Sequence, residues 1–212
     1  MTRVLGWLAA LGLLAGVAAG FGYAPREAIQ GNVQRIMYLH VPSVLTAYLA
    51  FGLVLLGSIA YLATRRPGWD RLAASAAEIG VLFTAITIVS GSIWGKPTWG
   101  TWWTWDARLT STAILLLVYV GYLMLRGLVD DAEARGRYAA VVGILGAVNI
   151  PIVHFSVKWW RALHQPSTIL GPEPSPIDPA IGLALLVNWI AFTLLFAYFL
   201  ARRMEIARLE ET

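Results

Sequence analysis

Residues 41–63 read VPSVLTAYLAFGLVLLGSIAYLA and contain no charged side chain. A helix of about 20 apolar residues crosses a hydrocarbon core about 30 Å thick, so this segment is long enough to span a bilayer. Five other segments have a similar composition, and none alternates apolar and polar residues with the period of a barrel strand. Because backbone amides must bond within their own segment in lipid, we predict six transmembrane helices. The expected spans are about 4–21, 41–63, 72–93, 109–128, 138–155 and 180–201.

The composition of the whole chain also indicates a membrane protein. Of its 212 residues, 58% are hydrophobic and 13% are charged, and the mean hydropathy is +0.66. Soluble domains carry about 25% charged residues, so an ordinary soluble enzyme, a disordered chain and a nucleic-acid-binding module are excluded despite the net charge of +4. The absence of cysteine excludes disulfides, Fe–S clusters, thiolate zinc sites and CxxCH haem attachment. We therefore predict a single polytopic, all-α membrane domain over residues 1–212.

The distribution of Lys and Arg predicts the orientation of the chain, because cytoplasmic connections carry an excess of these residues. If the N-terminus lies inside, ten of the 16 lie on the inner side and six on the outer side, which places both termini in the cytoplasm. Residues 1–24 could instead form a cleaved signal peptide. We expect a span there, because the apolar run is long and no clear A-x-A cleavage site follows it. The outer connections, 22–40, 94–108 and 156–179, are longer than the inner ones and have an unusual composition.

The chain has three histidines, all near the predicted outer side: His40, His154 and His164. Neutral imidazole nitrogen is a good ligand for iron or copper. Since the sequence offers no cysteine and no acidic cluster here, His40 and His164, from separate connections, fit a bis-histidine haem better than a zinc or calcium site. His154 is expected to have a structural role, because Asn149 and Pro151 indicate a kinked helix with a carbonyl group that needs a donor.

The strongest local pattern is the segment 94–108, WGKPTWGTWWTWDAR, which holds five of the ten tryptophans: Trp94, Trp99, Trp102, Trp103 and Trp105. If the chain after Pro97 is helical, Trp99, Trp102, Trp103 and Asp106 share one face. An aromatic belt at the membrane interface is the simpler interpretation, but a belt spreads its residues over many helix ends. The concentration in one connection favours a flat apolar platform for a large planar ligand.

A haem bound on this platform would need cations for its two propionates. Arg35 and Arg108 are the first candidates, because a guanidinium pairs with a carboxylate in bidentate geometry. Lys96 and Lys158 are expected to snorkel towards the headgroups instead. Asp106 is expected to hold Arg108 or a loop amide in place, since it is a poor iron ligand beside two imidazoles.

The motif W-G-x-x-W-x-W-D, present as WGTWWTWD at residues 99–106, resembles the signature of the tryptophan-rich haem-handling family. Within that family the chain is similar to the CcmC branch, the haem-handling protein C of bacterial cytochrome c maturation. The resemblance covers about residues 21–178. It is also carried by YLHVP at 38–42, GSIWGKP at 91–97, DARLTS at 106–111 and WWRALHQ at 159–165, in the expected order.

This resemblance implies a protein that binds haem b at the outer face of the bacterial inner membrane, beneath the tryptophan-rich connection. His40 and His164 fall on the blocks that hold the two axial ligands, and His154 falls on none. The implied partner is a periplasmic haem chaperone, which attaches the delivered haem covalently, so the chain itself is expected not to be an enzyme. An ABC-type ATPase, its membrane subunit and a small single-span membrane protein complete the implied complex. The chain has no P-loop motif, so the ATPase would be a separate subunit.

Three other functions share some of these features. A transmembrane haem transporter would need polar residues along a path through the spans, and only Glu78, Asn149 and Asn188 are plausible. A catalytic cytochrome c synthase shares the tryptophan-rich signature but uses additional membrane histidines and a large partner domain. A respiratory b-type electron carrier would place paired histidines deep within its helices rather than in the outer connections.

Overall fold

The computed structural model describes residues 2–164 and 177–210, and these ranges are mostly helical. The long helices are α1 (Thr2–Ala18), α2 (Met37–Thr64), α3 (Pro67–Trp99), α4 (Ala107–Leu128), α5 (Ala132–Trp159) and α6 (Pro179–Glu210). A short π-helical turn, Ala19–Tyr23, continues α1, and a 3₁₀ turn, Val33–Ile36, precedes α2. The described residues contain no β-strand beyond an isolated bridge between Glu27 and Gly31. All six long helices are apolar enough to cross a membrane, which confirms the predicted all-α membrane fold.

The helices extend beyond the spans that hydropathy predicts, so some connections are shorter than expected. Between α2 and α3 only Arg65 and Arg66 are non-helical, whereas the sequence predicted a link over 64–71. Arg65 takes the left-handed conformation (φ 55°), and its N–H donates to the carbonyl of Tyr61 at 2.8 Å. This arrangement closes α2, and Pro67, which needs no N–H partner at the first position of a helix, opens α3.

Two aspartates fix the beginnings of α4 and α5. Asp106 Oδ1 accepts from the amide of Leu109 at 2.8 Å, and Asp131 Oδ1 accepts from the amide of Ala134 at 2.7 Å. Each bond satisfies one of the backbone donors that an α-helix leaves unpaired in its first turn. The α4 helix therefore begins at Ala107, two residues after Trp105, and the Asp106 cap sets the position of the residues that follow it.

The core of the bundle lies around α2, which packs against α3, α5 and α6, while α1 packs mainly on α6. Phe51 stacks on Tyr119 with ring centroids 3.8 Å apart, and the Tyr119 hydroxyl donates to the carbonyl of Gly143 at 3.0 Å. Small residues at the contacts, among them Ala50 and Ala76, are fully buried. Small side chains let helix backbones approach closely in a membrane, where the contact itself stabilises the association.

The bundle has two ends of different chemistry. We call the end where α1, α3 and α5 finish the histidine end, because it holds His40, His154 and His164. At the opposite end, Asp70 on α3 pairs with Arg126 on α4 through two bonds of 2.6 and 2.7 Å. Glu78, also on α3, pairs with Arg203 on α6 through bonds of 2.5 and 2.9 Å. These bidentate pairs connect three helices and give the intramembrane acid Glu78 a structural partner.

Breaking the Asp70–Arg126 pair should destabilise the bundle. In an Asp70→Asn variant the half-buried guanidinium of Arg126 loses its carboxylate, and we expect a loss of about 2 kcal/mol. The measurement is the midpoint of thermal unfolding in detergent. Glu205→Gln is the matched control, because it breaks an exposed pair with Arg202 and should cost less than about 0.5 kcal/mol. Equal midpoints for the two variants would show that the pair does not hold the helices together.

Candidate functional site

A cavity of about 240 Å³ lies at the histidine end, between α2, α3, α4 and α5. We call it the histidine cavity, because all three histidines of the chain line it. The rings of His40 and His164 lie with their centroids 6.5 Å apart and their planes tilted by 33°. The structure thus brings the two predicted ligand residues together, although they are far apart along the chain.

His40 lies in the first turn of α2, and its imidazole is buried. Its Nδ1 is 3.1 Å from the hydroxyl oxygen of Ser90 on α3, and that hydroxyl donates its only hydrogen to the carbonyl of Ile86 at 2.7 Å. With its hydrogen on that carbonyl, the Ser90 oxygen accepts from His40, which assigns the ring hydrogen to Nδ1. A neutral His40 then has its lone pair on Nε2, which is the nitrogen that can bind a metal.

Gly91, the neighbour of Ser90, makes room for the same ring. A Cβ atom at position 91 would come within 2.8 Å of His40 Cε1 and 3.3 Å of Nδ1. Such distances are shorter than van der Waals contact, so any side chain here would displace the imidazole. The sequence assigns no role to Ser90 and places Gly91 only in the block GSIWGKP, because the contacts of both residues with His40 depend on the packing of α3 on α2.

His164 lies in the non-helical residues 160–164 that follow α5. Its Nδ1 is 3.3 Å from Nη1 of Arg108, and its ring is 5.8 Å from that of Trp99. Arg108, in the first turn of α4, also donates through Nη2 to the backbone carbonyl of His154 at 2.8 Å. The guanidinium therefore connects α4 to α5 and to His164.

The ring of His154 lines the cavity, which the sequence did not predict. It lies edge-on to Tyr48 at 6.4 Å and to Phe155 at 4.9 Å between ring centroids. The sequence predicted a structural role for His154 beside a carbonyl that needs a donor, and in the structure Arg108 donates to the carbonyl of His154 itself. Asn149 instead donates across to the carbonyl of Ser111 on α4 at 2.8 Å. The sequence signal that could have placed His154 at the cavity is that all three histidines lie near the predicted outer side.

The tryptophans do not share a helical face, because the helix that would place them there ends two residues after Pro97. The α3 helix passes through Pro97 and ends at Trp99, and residues 100–106 are non-helical. Gly100 takes a left-handed conformation (φ 80°) and donates to the carbonyl of Lys96 at 3.0 Å. Lys96 Nζ in turn donates to the carbonyl of Gly100 at 2.9 Å. Glycine adopts this conformation without strain, and the two bonds end the helix earlier than the pattern suggested.

The tryptophans still gather at the cavity, although they do not share a helical face. Trp94, Trp99, Trp102 and Trp103 line it, and Trp105 lies outside the lining and is 81% exposed. Trp94 donates through Nε1 to Oε1 of Gln30 at 2.7 Å, and its ring lies edge-on to His40 at 5.8 Å. The connection before α2 is thereby joined to the end of α3.

Of the four cations weighed from the sequence, one lines the cavity and three do not. Arg108 lines it. Arg35 donates to the backbone carbonyls of Phe21 at 2.6 Å and Ala24 at 3.5 Å, and lies outside the lining. Lys96 bonds the backbone at the end of α3, and Lys158 lies over the ring of Phe155 at 5.6 Å. Asp106 was expected to hold Arg108 or a loop amide, and in the structure it caps α4 through the amide of Leu109.

The site has the chemistry to hold a metal that arrives within a large planar ligand. In residues 2–164 and 177–210 no group of three or more His, Cys, Asp or Glu side chains is placed to hold a metal ion. Two imidazoles leave most coordination positions of a metal open, so a metal held between His40 and His164 would take its other ligands from the bound molecule. Two imidazoles that share one metal at about 2 Å have ring centres about 6 Å apart, close to the separation observed.

The chain is similar to known proteins along most of its length. The family model described as Heme exporter protein C (CcmC) matches residues 1–212. Heme exporter protein C of Bradyrhizobium diazoefficiens is 43% identical over 211 residues, which cover 97% of this chain and 80% of the relative. The protein of the same name from Escherichia coli K12 is 42% identical over 186 residues, or 88% and 75% of the two chains. A putative cytochrome c biosynthesis ccmC-like mitochondrial protein of Marchantia polymorpha is 40% identical over 176 residues, or 83% and 71%.

A Gly91→Ala substitution should displace the imidazole of His40 and destabilise the bundle by about 1–3 kcal/mol, the usual cost of overpacking. Gly52→Ala is the matched control in α2, since no atom lies within 4 Å of a Cβ there. It should be neutral or stabilising by up to about 1 kcal/mol, because alanine favours a helix. The measurement is the thermal midpoint in detergent. Adding His40→Ala should remove most of the cost of Gly91→Ala, and strictly additive effects would show that the two groups do not collide.

Proposed function

The chain belongs to the heme exporter protein C family, and we propose that it binds haem b non-covalently and delivers it to a periplasmic haem chaperone for cytochrome c maturation. The observation that carries this proposal is the convergence of His40 and His164 on one cavity, 6.5 Å apart between ring centroids. Haem is the cargo of the protein rather than a resident cofactor. The covalent bond would form on the chaperone, so we propose no enzymatic activity for this chain.

His40 and His164 are the proposed axial ligands of the haem iron. Imidazole nitrogen suits iron, and a hydrogen bond at the second ring nitrogen orients the ligand. The contact of His40 with Ser90 supports this role, because it directs the lone pair of the imidazole to Nε2. The proposed site is at the outer face of the bacterial inner membrane, with both termini in the cytoplasm, as the distribution of Lys and Arg favours.

The tryptophans are the proposed apolar surface for the porphyrin. Trp94, Trp99, Trp102 and Trp103 line the cavity that holds the two histidines, which supports dispersion and stacking contacts with a large ring. Trp102 is 55% exposed and Trp105 is 81% exposed. Exposed tryptophans of this kind are common at protein interfaces, so we propose that Trp102 and Trp105 also contact the chaperone.

Arg108 is the proposed partner of a haem propionate. Its guanidinium lines the cavity, and its Nε is buried without a hydrogen-bond partner among the described residues. Arg35 receives less support for this role, because the carbonyls of Phe21 and Ala24 occupy its guanidinium. Asp106 would act indirectly, by fixing the first turn of α4 on which Arg108 lies. The proposed complex further contains an ABC-type ATPase, its membrane subunit and a small single-span membrane protein.

A path for haem through the bundle receives no support from the polar residues of the spans. Glu78 pairs with Arg203, and Asn149 bonds the carbonyl of Ser111. Asn188 bonds the carbonyls of Gly16 and Ala184 at 3.0 and 2.8 Å. Since all three side chains connect helices to one another, we favour capture and delivery at the histidine end over transport across the membrane.

His40→Gly and His164→Gly should each convert a six-coordinate haem spectrum into a spectrum with one histidine ligand or none. The reason is that each substitution removes one axial ligand. The measurement is the absorption spectrum of the purified variants in detergent, with total haem determined as the pyridine haemochrome. Added imidazole should restore the six-coordinate spectrum by filling the position of the missing side chain. A variant that keeps the wild-type spectrum and haem content would remove that histidine from the ligand set.

Replacing Trp102 and Trp103 by alanine should reduce transfer of haem to the chaperone roughly tenfold. The yield of folded protein should fall less. The expected loss of transfer is that of removing Trp102 from the chaperone interface and Trp103 from the porphyrin surface. The assay measures covalent haem on the purified chaperone after mixing with the haem-loaded protein. Trp7→Ala is a suitable control, since this exposed tryptophan lies on α1, close to the opposite end. Normal transfer by the double variant would reject the role of the tryptophan surface.

A further inference from the structure

In one of the two proposed ligands Nδ1 donates a hydrogen bond, and in the other Nδ1 accepts one. Ser90 accepts from Nδ1 of His40, whereas Arg108 donates to Nδ1 of His164. The second statement follows from the guanidinium itself, which carries only donors and stays protonated in proteins. Nδ1 of His164 is therefore an acceptor in this structure, and a neutral imidazole then carries its hydrogen on Nε2. His40 is set to bind a metal, and His164 is not.

The bond between Arg108 and His164 is incompatible with iron coordination through either ring nitrogen. If the iron takes Nδ1, it needs the lone pair that accepts from Nη1. If the iron takes Nε2, the hydrogen must leave that nitrogen, and a neutral ring then carries it on Nδ1, where it would face the donor Nη1. In both cases Arg108 must leave Nδ1 before His164 becomes a ligand.

We propose that a haem propionate displaces Arg108 from His164 and so permits the second axial ligation, which makes His40 the first ligand and His164 the second. This inference rests on the proposed function. Arg108 is suited to the exchange because its Nη2 bonds the carbonyl of His154 at 2.8 Å and can remain anchored while Nη1 turns to a carboxylate. The new bond is favoured because a guanidinium binds a carboxylate more strongly than it binds a neutral acceptor.

The proton balance of this step is simple. When Nη1 leaves, Nδ1 of His164 takes a proton from solvent and Nε2 releases one, so the imidazole stays neutral and its lone pair moves to Nε2. Nη1 keeps its hydrogens and donates one of them to the propionate oxygen. No oxidant or reductant takes part. Arg108 thus acts as a positioning residue that couples recognition of a carboxylate to the coordination number of the iron.

The test compares ferric haem with its dimethyl ester, in which both carboxylates are blocked, at saturating concentrations on the purified full-length protein. The readout is the spin state of the iron, from absorption and electron paramagnetic resonance spectra. In the wild type, haem should give a six-coordinate low-spin complex. The ester should give mainly a complex with His40 alone, because the equilibrium for the second ligation falls roughly 10- to 100-fold, the effect of one charge-assisted hydrogen bond.

An Arg108→Ala variant should bind haem more weakly but give low-spin, six-coordinate complexes with both haem and the ester, because the guanidinium no longer occupies Nδ1 of His164. Lys158→Ala is the matched control; this exposed cation at the end of α5 does not line the cavity, and its removal should leave the wild-type difference intact. A wild type that forms the six-coordinate complex equally well with haem and ester would overturn the proposal. So would an Arg108→Ala variant whose ester complex keeps a single histidine ligand.

A second measurement applies to the protein without haem and does not depend on the folding of an arginine variant. Nuclear magnetic resonance of protein labelled with ¹⁵N only in its three histidines reports which ring nitrogen carries the hydrogen. We expect hydrogen on Nδ1 of His40 and on Nε2 of His164, with the signals assigned through His40→Gln and His154→Gln. Hydrogen on Nδ1 of His164 would refute the gating role of Arg108, even if haem still bound both histidines. Failure of the wild type to bind haem at all would refute the proposed function instead.

Discussion

The histidine cavity depends on the contacts of a single cation, Arg108. A guanidinium keeps its charge and can only donate, so within a membrane bundle it must find acceptors. It finds one in the backbone carbonyl of His154 on α5 and another in the imidazole of His164 beyond the end of that helix. Because Asp106 fixes the beginning of α4 two residues earlier, these bonds hold the start of α4, the end of α5 and the segment that carries His164 in one arrangement.

The arginines at the two ends of the bundle have different hydrogen-bond acceptors, and this difference bears on the proposed function. At the opposite end, Arg126 and Arg203 are paired with the carboxylates of Asp70 and Glu78, which holds α3, α4 and α6 together. At the histidine end, the acceptors that the structure gives Arg108 are neutral groups. An incoming carboxylate competes well with neutral acceptors and poorly with carboxylates already in place. The bundle is therefore fixed at one end and able to exchange partners at the other.

The sequence predicted the six spans because lipid imposes one local requirement, apolar length, on every helix. It could not predict that α3 ends at Trp99, since that depends on the backbone conformation of Gly100 and two bonds with Lys96. The meeting of His40 with His164 was implied by resemblance, whereas their supporting contacts depend on how α3 packs on α2. Ser90 is an ordinary helical serine in the sequence, and only that packing places its hydroxyl beside His40.

For the proposed delivery, haem must be held firmly enough to be oriented and must still be able to leave, and the proposed ligands lie on elements suited to this task. His40 belongs to α2, the helix at the centre of the bundle, and its ring is fixed by Ser90 and by the space left at Gly91. His164 lies outside the helices, and its contact with Arg108 would compete with the proposed bond to iron. Returning Arg108 to His164 would weaken the second ligation without disturbing any helix. Release can then begin with the ligand whose loss costs the fold least.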